Sequence, residues 1–154
     1  MRALFDPVKI RDAAPAEALI LEALQRRASD IWDAYREQLA ANPAAIELPE
    51  RFIDNGWVRV AVADDDTPIG FSVVIPVDGS TQELDGLFVE PAHMRRGVGR
   101  ALVEDAAARA STNGAGHLEV TAGPAQGFYE KLAFSVVAAA ETCFGPALRM
   151  RREL

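Results

Sequence analysis

Leu87-Phe88-Val89-Glu90-Pro91-Ala92-His93-Met94-Arg95-Arg96-Gly97-Val98-Gly99-Arg100-Ala101-Leu102 is the stretch that decides how this chain reads. Its apolar start predicts a buried strand, Pro91 a turn, and Val98 and Leu102 the first inward positions of a helix. Between strand and helix, Gly97 and Gly99 leave no side chain over the backbone, so N–H groups can close on an anion. A helix start adds its unpaired N–H donors and the positive end of its dipole. Arg95, Arg96 and Arg100 gather cations around this point in a chain whose formal charge is −7. A local basic cluster on an acidic protein points to a discrete anionic ligand, read here as a pyrophosphate.

A P-loop needs Gly-Lys followed by Ser or Thr, which the stretch lacks. A dinucleotide-binding loop needs a third glycine where Leu102 stands. What remains resembles motif A of the GCN5-related N-acetyltransferases, an Arg/Gln-x-x-Gly-x-Gly/Ala loop that holds the pyrophosphate of acetyl-CoA. Met94 occupies a position where that family usually has Gln or Arg. Further on, His117-Leu118-Glu119-Val120-Thr121-Ala122 reads as a short strand, followed by Gly123-Pro124 and Ala125-Gln126-Gly127-Phe128-Tyr129-Glu130-Lys131-Leu132-Ala133-Phe134. The latter resembles the family's motif B, Ala-x-x-Phe-Tyr-x-x-x-Gly-Phe, and matches it at Ala125, Phe128, Tyr129 and Phe134. It departs at Ala133, where Gly is usual, and at Gly123-Pro124, where an Asn is common. Two motifs in this order are more specific than either alone.

The resemblance implies the acyl-CoA N-acyltransferase fold: an α/β (α+β) domain with a mixed, mostly antiparallel sheet flanked by helices. It implies acetyl-CoA as co-substrate, no metal, and direct transfer of acetyl to the amine of a small molecule or peptide. Arg95, Arg96, Gly97, Val98, Gly99 and Arg100 would hold the pyrophosphate. In the family the preceding strand splays from its neighbour, and its free main chain bonds the pantetheine arm; those positions are Leu87, Phe88 and Val89. Tyr129 falls on the general acid, and a phenol with a pKa of about 10 is protonated at neutral pH. Glu83, four residues before Leu87, falls on the strand glutamate that serves as base. Asp85 and Glu83 share strand alternation with Leu87 and Val89, so both are expected to face the cleft. Glu119 on the next strand is a third candidate base, and the choice stays open. Transfer of a longer acyl group, or a non-catalytic acyl-CoA-binding regulatory role, are alternatives; Tyr129 favours the enzyme. The resemblance also makes a homodimer plausible.

Composition narrows the rest. A chain of 154 residues, 49% hydrophobic and 25% charged, suits one globular domain over 1–154 with a substantial core. Its longest apolar runs, such as Phe71-Ser72-Val73-Val74-Ile75-Pro76-Val77, fall far below the roughly 18 residues of a membrane span. The acidic balance argues against nucleic acid or anionic membrane as partner, and permits a cationic substrate. A lone cysteine, Cys143, excludes an internal disulfide and fits a reducing cytoplasm. Without a paired histidine it is not read as an acyl-carrying nucleophile. His93 reads as a turn residue, exposed or near phosphate, and His117 as structural; no His/Cys/carboxylate group has zinc-like spacing.

Along the chain, Val8 to Asp12 predicts a first strand and Pro15 to Ala28 an amphipathic helix. Ser29 or Asp30 is expected to cap a second helix through Ile31, Trp32, Tyr35 and Leu39. Trp32 and Tyr35 share a face there, which by resemblance walls the acceptor site and by spacing alone reads as core. Pro49 to Asp54 predicts a helical turn. Trp57 to Ala63, an Asp64-Asp65-Asp66 turn and Pro68 to Val77 predict a hairpin, followed by a strand from Gln82 to Val89. Val98, Leu102, Ala106 and Ala110 form a helix stripe that stops near Asn113-Gly114. Strand 117–122, helix 125–132 and strands near 134–140 and 147–152 complete the chain.

Overall fold

Val58, Val60 and Val62 alternate with Arg59 and Ala61, and in the computed structural model this alternation becomes a strand covered on both faces. The structure describes residues 8–30, 47–142 and 145–154. The strands are β1 (Lys9–Asp12), β2 (Val58–Val62), β3 (Pro68–Pro76), β4 (Thr81–Val89), β5 (His117–Ala122), β6 (Ser135–Thr142) and β7 (Gly145–Glu153). The helices are α1 (Ala18–Asp30), α2 (Glu50–Asp54), α3 (Val98–Thr112) and α4 (Gln126–Glu130), with 3-10 turns at Pro15–Glu17 and Pro91–His93.

The strands form one sheet in the order β1-β2-β3-β4-β5-β7-β6. Every neighbouring pair is antiparallel apart from β4 and β5, which run parallel. A parallel pair needs a crossover, and α3 supplies it. The mixed, mostly antiparallel sheet expected from the sequence is therefore present.

The helices divide the two faces. Leu21 and Leu24 of α1 are fully buried against Val58, Val60 and Phe71. On the other face, Val98, Leu102, Val103 and Ala106 of α3 are buried against Ala61, Ile69, Leu84 and Leu118. Burying one such Leu or Phe side chain stabilises the fold by about 1.5–3 kcal/mol. Arg59 emerges on the α3 face, where its guanidinium donates to Asp105 at 3.0 and 3.1 Å and pins β2 to the helix.

α1 runs on through Ser29 and Asp30, two residues past the expected end at Ala28, and the helix that either was expected to cap falls outside the described residues. The cause is the apolar stripe of α1, which continues from Leu21 and Leu24 to Ala28, 4% exposed, and carries helical packing through the cap-like residues. The second helix expected through Ile31, Trp32, Tyr35 and Leu39 lies outside the described residues, as does Cys143. No helix among the described residues is long and apolar enough to cross a membrane.

Candidate active site

The site grows from a change of register in β4. Val73 pairs with Gly86 and Val74 with Leu84, so Asp85 has no opposite number on β3 and forms a β-bulge. A bulge adds one residue to one strand, and the faces on either side of it exchange. Leu84 packs in the α3-side core together with Leu87, while Phe88 stacks on Phe71 in the opposite core, ring centroids 5.1 Å apart. Gly86 makes room for that ring, since a Cβ there would lie 2.7 Å from it. The sequence expectation that Glu83 shares a face with Leu87 and Val89 is thereby corrected. Glu83 pairs with Ile75 and sits on the α1 face; Leu87 and Val89 pack beneath α3.

The bulge coincides with a fork. β4 and β5 pair from Thr81↔His117 to Leu84↔Val120, and there the parallel ladder ends. Beyond it β4 stays bonded to β3 as far as Val89. Among the described residues, the edge of residues 85–89 that looks toward β5 therefore carries no ladder, which leaves its main chain available to a ligand.

That open edge runs directly into the glycine loop. Glu90 N–H donates to Ile69 O at 2.8 Å and His93 N–H to Glu90 O at 2.8 Å, which turns the chain. Gly97 caps α3 at φ +82°, a left-handed conformation that explains a glycine there, and no side chain caps the helix. Arg95 is also left-handed at φ +63°, a strained setting for a side-chain-bearing residue of the kind that clusters at functional sites. Arg95, Arg96 and Arg100 are exposed. Among the described residues none of them makes an ion pair. Gly99 has a second reason to be small: a Cβ on it would lie 3.3 Å from the Phe128 ring and 3.6 Å from Val89 Cγ2. The motif-B phenylalanine thus rests on the glycine loop, a contact the sequence reading missed although it had singled out both residues. Arg27 of α1 donates to Glu90 at 2.6 Å and holds that carboxyl below the ordinary range. An uncapped helix start with three exposed cations, continued by an open strand edge, fits an extended cofactor bearing a pyrophosphate and amide groups.

Tyr129 stands on the other side of the fork from Glu83. It is 7% exposed and packs with Leu84, Val103, Leu118 and Val120 in the α3-side core. Phe128 and Phe134 meet its ring edge-on at centroid distances of 5.1 and 5.4 Å. The two residues expected to act as acid and base are therefore brought to opposite faces of the sheet, at the level where β4 and β5 separate. Ala133, which departs from the family's glycine, adopts φ +69°. The backbone keeps the shape a glycine would favour, and this chain carries the strain.

The three candidate bases differ in their surroundings. Glu83 receives Arg149 Nη1, which also donates to Thr121 Oγ1 at 2.7 Å. Glu119 receives Arg149 Nη2 at 2.8 Å and Arg151 Nε at 2.8 Å. The Arg151 guanidinium first, with Arg149, holds the Glu119 carboxyl below the ordinary range. Asp85 is exposed and has no ion pair among the described residues; loss of part of its hydration at the bulge, then the charge of Glu83, push its carboxyl up. Nothing local in the sequence marked Arg149, because it meets Glu83 only through the strand order β4-β5-β7. His117 sits at 3.0 Å from Glu153, in keeping with the structural reading. No cluster able to hold a metal occurs among the described residues. A cavity of about 250 Å³ lined by Trp57, Arg59, Val74, Gln82, Arg109 and Asn113 lies along the later part of α3.

The fork, the loop and the order of the elements define a class. A family model described as an acetyltransferase (GNAT) domain matches residues 56–136. The chain belongs to the GNAT family and is an acetyl-CoA-dependent N-acetyltransferase. It is 31% identical over 142 residues to the peptidyl-lysine N-acetyltransferase YjaB of Salmonella typhimurium, a match spanning 87% of this chain and 88% of that protein. In fold it is similar to the PaiA N-acetyltransferase of Thermoplasma acidophilum in complex with coenzyme A, with a TM-score of 0.79, 19% identity, and coverage of 96% of this chain and 99% of the other. A GNAT family acetyltransferase from Elizabethkingia anophelis with acetyl-CoA bound superposes with a TM-score of 0.71 and 18% identity over 97% and 99% of the two chains.

Proposed function

We propose that this enzyme acetylates primary amines by direct attack, with peptidyl lysine as its acceptor class. The observation that carries the direct-transfer reading is the open edge of β4 leading into the uncapped start of α3. The acceptor class is supported by the relative that shares most of the chain's length. Bound acetyl-CoA supplies an activated thioester, whose C–S bond is exchanged for a C–N bond to the acceptor.

The chain's own groups divide the remaining work. Arg95, Arg96, Arg100 and the N–H groups from Gly97 to Gly99 take the pyrophosphate. The main chain of Leu87, Phe88 and Val89 bonds the pantetheine arm and offers pre-oriented donors to the carbonyl oxygen. Glu83 accepts the proton of the acceptor ammonium, directly or through water, on the α1 face. Tyr129 holds a proton at Oη on the α3 face for the departing sulfur. The reading takes residues 1–154 as one catalytic domain working in a reducing cytoplasm, where a lone cysteine needs no partner.

The test is release of free CoA from acetyl-CoA with a panel of acceptors: an N-terminally blocked lysine peptide, free amino acids, polyamines and aminoglycosides. The lysine peptide should turn over fastest and gain an acetyl group on the lysine side chain by mass spectrometry. Turnover confined to small amines would replace the acceptor class and leave the transfer reaction standing.

A further inference from the structure

Arg149 lies on β7 opposite Thr121 of β5, yet its guanidinium passes β5 and reaches Glu83 on β4. Its setting explains the reach. Glu83 and Glu119 are register partners one rung before the parallel ladder ends. Like charges placed directly opposite one another on a sheet repel. Arg149 sits between them, with Nη1 donating to Glu83 and to Thr121 Oγ1 and Nη2 donating to Glu119. Arg151 Nη2 takes the second oxygen of Glu119 at 2.6 Å. Side-chain exposures of 25% for Arg149, 28% for Glu83 and 14% for Glu119 place the group in a half-buried setting, where ion pairs are stronger than on an open surface. A planar guanidinium serves three acceptors at fixed angles, which an ammonium cannot copy.

We propose that Arg149 is a positioning residue for acetyl transfer, fixing the Glu83 carboxylate against β5 at the mouth of the fork. Thr121 and Glu119 in turn fix Arg149, so the carboxylate that receives the acceptor's proton is held by a framework rooted in β5 and β7. This rests on the reading of Glu83 as base. A purely structural tie between strands would have no reason to act through Glu83, and the two roles separate kinetically.

The experiment is a double-mutant cycle on the purified full chain, using the panel amine that turns over fastest. Glu83→Gln, Arg149→Gln and the double variant are compared by kcat, by KM for acetyl-CoA and by a CoA binding titration. Arg149→Gln should lower kcat about tenfold while KM for acetyl-CoA and CoA affinity stay at the parent values. Arg149→Lys should restore part of the loss. In the Glu83→Gln background, Arg149→Gln should cost nothing further, because its target is gone. Thr121→Val, which removes one anchor of the guanidinium and leaves the ion pairs, should lower kcat two- to threefold and serves if Arg149→Gln does not fold. An equal loss from Arg149→Gln in both backgrounds, or parent kcat in both the Arg149 and Thr121 variants, would overturn the inference while Glu83 kept its role. Parent kcat in Glu83→Gln would remove the base and its positioning residue together.

Discussion

β4 is bonded to β3 from Gln82 to Val89, whereas its bonds to β5 end at Leu84. The closed edge makes the strand a rigid element, and the open edge gives that element main-chain groups to spend on a ligand. Both change at Asp85. A bulge bends its strand and increases its twist, and this one also exchanges the faces, leaving Glu83 on the α1 side and Leu87 beneath α3. Under the roles proposed above, proton acceptance and cofactor binding are served by one strand without competing for the same face.

Removing the Tyr129 hydroxyl tests the α3 side of this division, and it carries the largest expected effect. Tyr129→Phe keeps the ring contacts with Phe128 and Phe134 and should lower kcat about 100-fold, with CoA affinity retained in a titration. Unaltered kcat would leave Tyr129 as packing alone.

The glycine loop comes next. Gly97 and Gly114 bracket α3, at φ +82° and +89° respectively, so an alanine at either should cost a similar 1–2 kcal/mol, roughly the left-handed penalty. Only Gly97→Ala should also weaken CoA, by about tenfold in a binding titration, because only that end of the helix meets the open edge. Equal CoA affinity in the two variants would break the assignment of the loop.

Asp85 gives a smaller effect with a definite sign. Its folded-state carboxyl is raised by lost hydration at the bulge and by Glu83, so between the two titration points the native chain keeps a proton that the unfolded chain releases. The associated stability is full below the ordinary aspartate value and is lost as pH rises through the raised one. Asp85→Asn should therefore melt above the parent at neutral pH, with the gap closing toward about pH 4. A gap that widened on acidification would mean that the bulge stabilises the ionised form.

The smallest effect lies outside the fork. Ala133→Gly, which restores the family's residue at φ +69°, relieves left-handed strain but adds freedom to the unfolded chain. A net gain of at most about 1 kcal/mol is expected in denaturant melts. A loss would show that Ala133 packs more than it strains.

Much of this was legible in the chain. The Val98, Leu102, Ala106 and Ala110 stripe located α3, the run Asp64-Asp65-Asp66 located the hairpin, and Gly97 and Gly99 marked the loop that opens α3. The bulge was not legible, because Glu83, Asp85, Leu87 and Val89 read as one unbroken period-two pattern; the slip shows only against β3. The Arg149 bridge was equally hidden, since the last strand of the chain inserts beside β5 and nothing local in sequence says so. The end of α1 was misjudged for a different reason: an apolar stripe carries the helix two residues past Ala28, through Ser29 and Asp30.

Cofactor binding at the fork depends on the open edge of β4. Amide hydrogen exchange, measured residue by residue with and without CoA, reads that edge directly. Amides of 81–84 paired to β5 and amides of 85–89 paired to β3 should be protected in both states. The remaining amides of 85–89 should exchange readily in the free protein and become protected only when CoA is bound. If CoA binds and those amides exchange as before, the cofactor lies elsewhere and the fork is not its site.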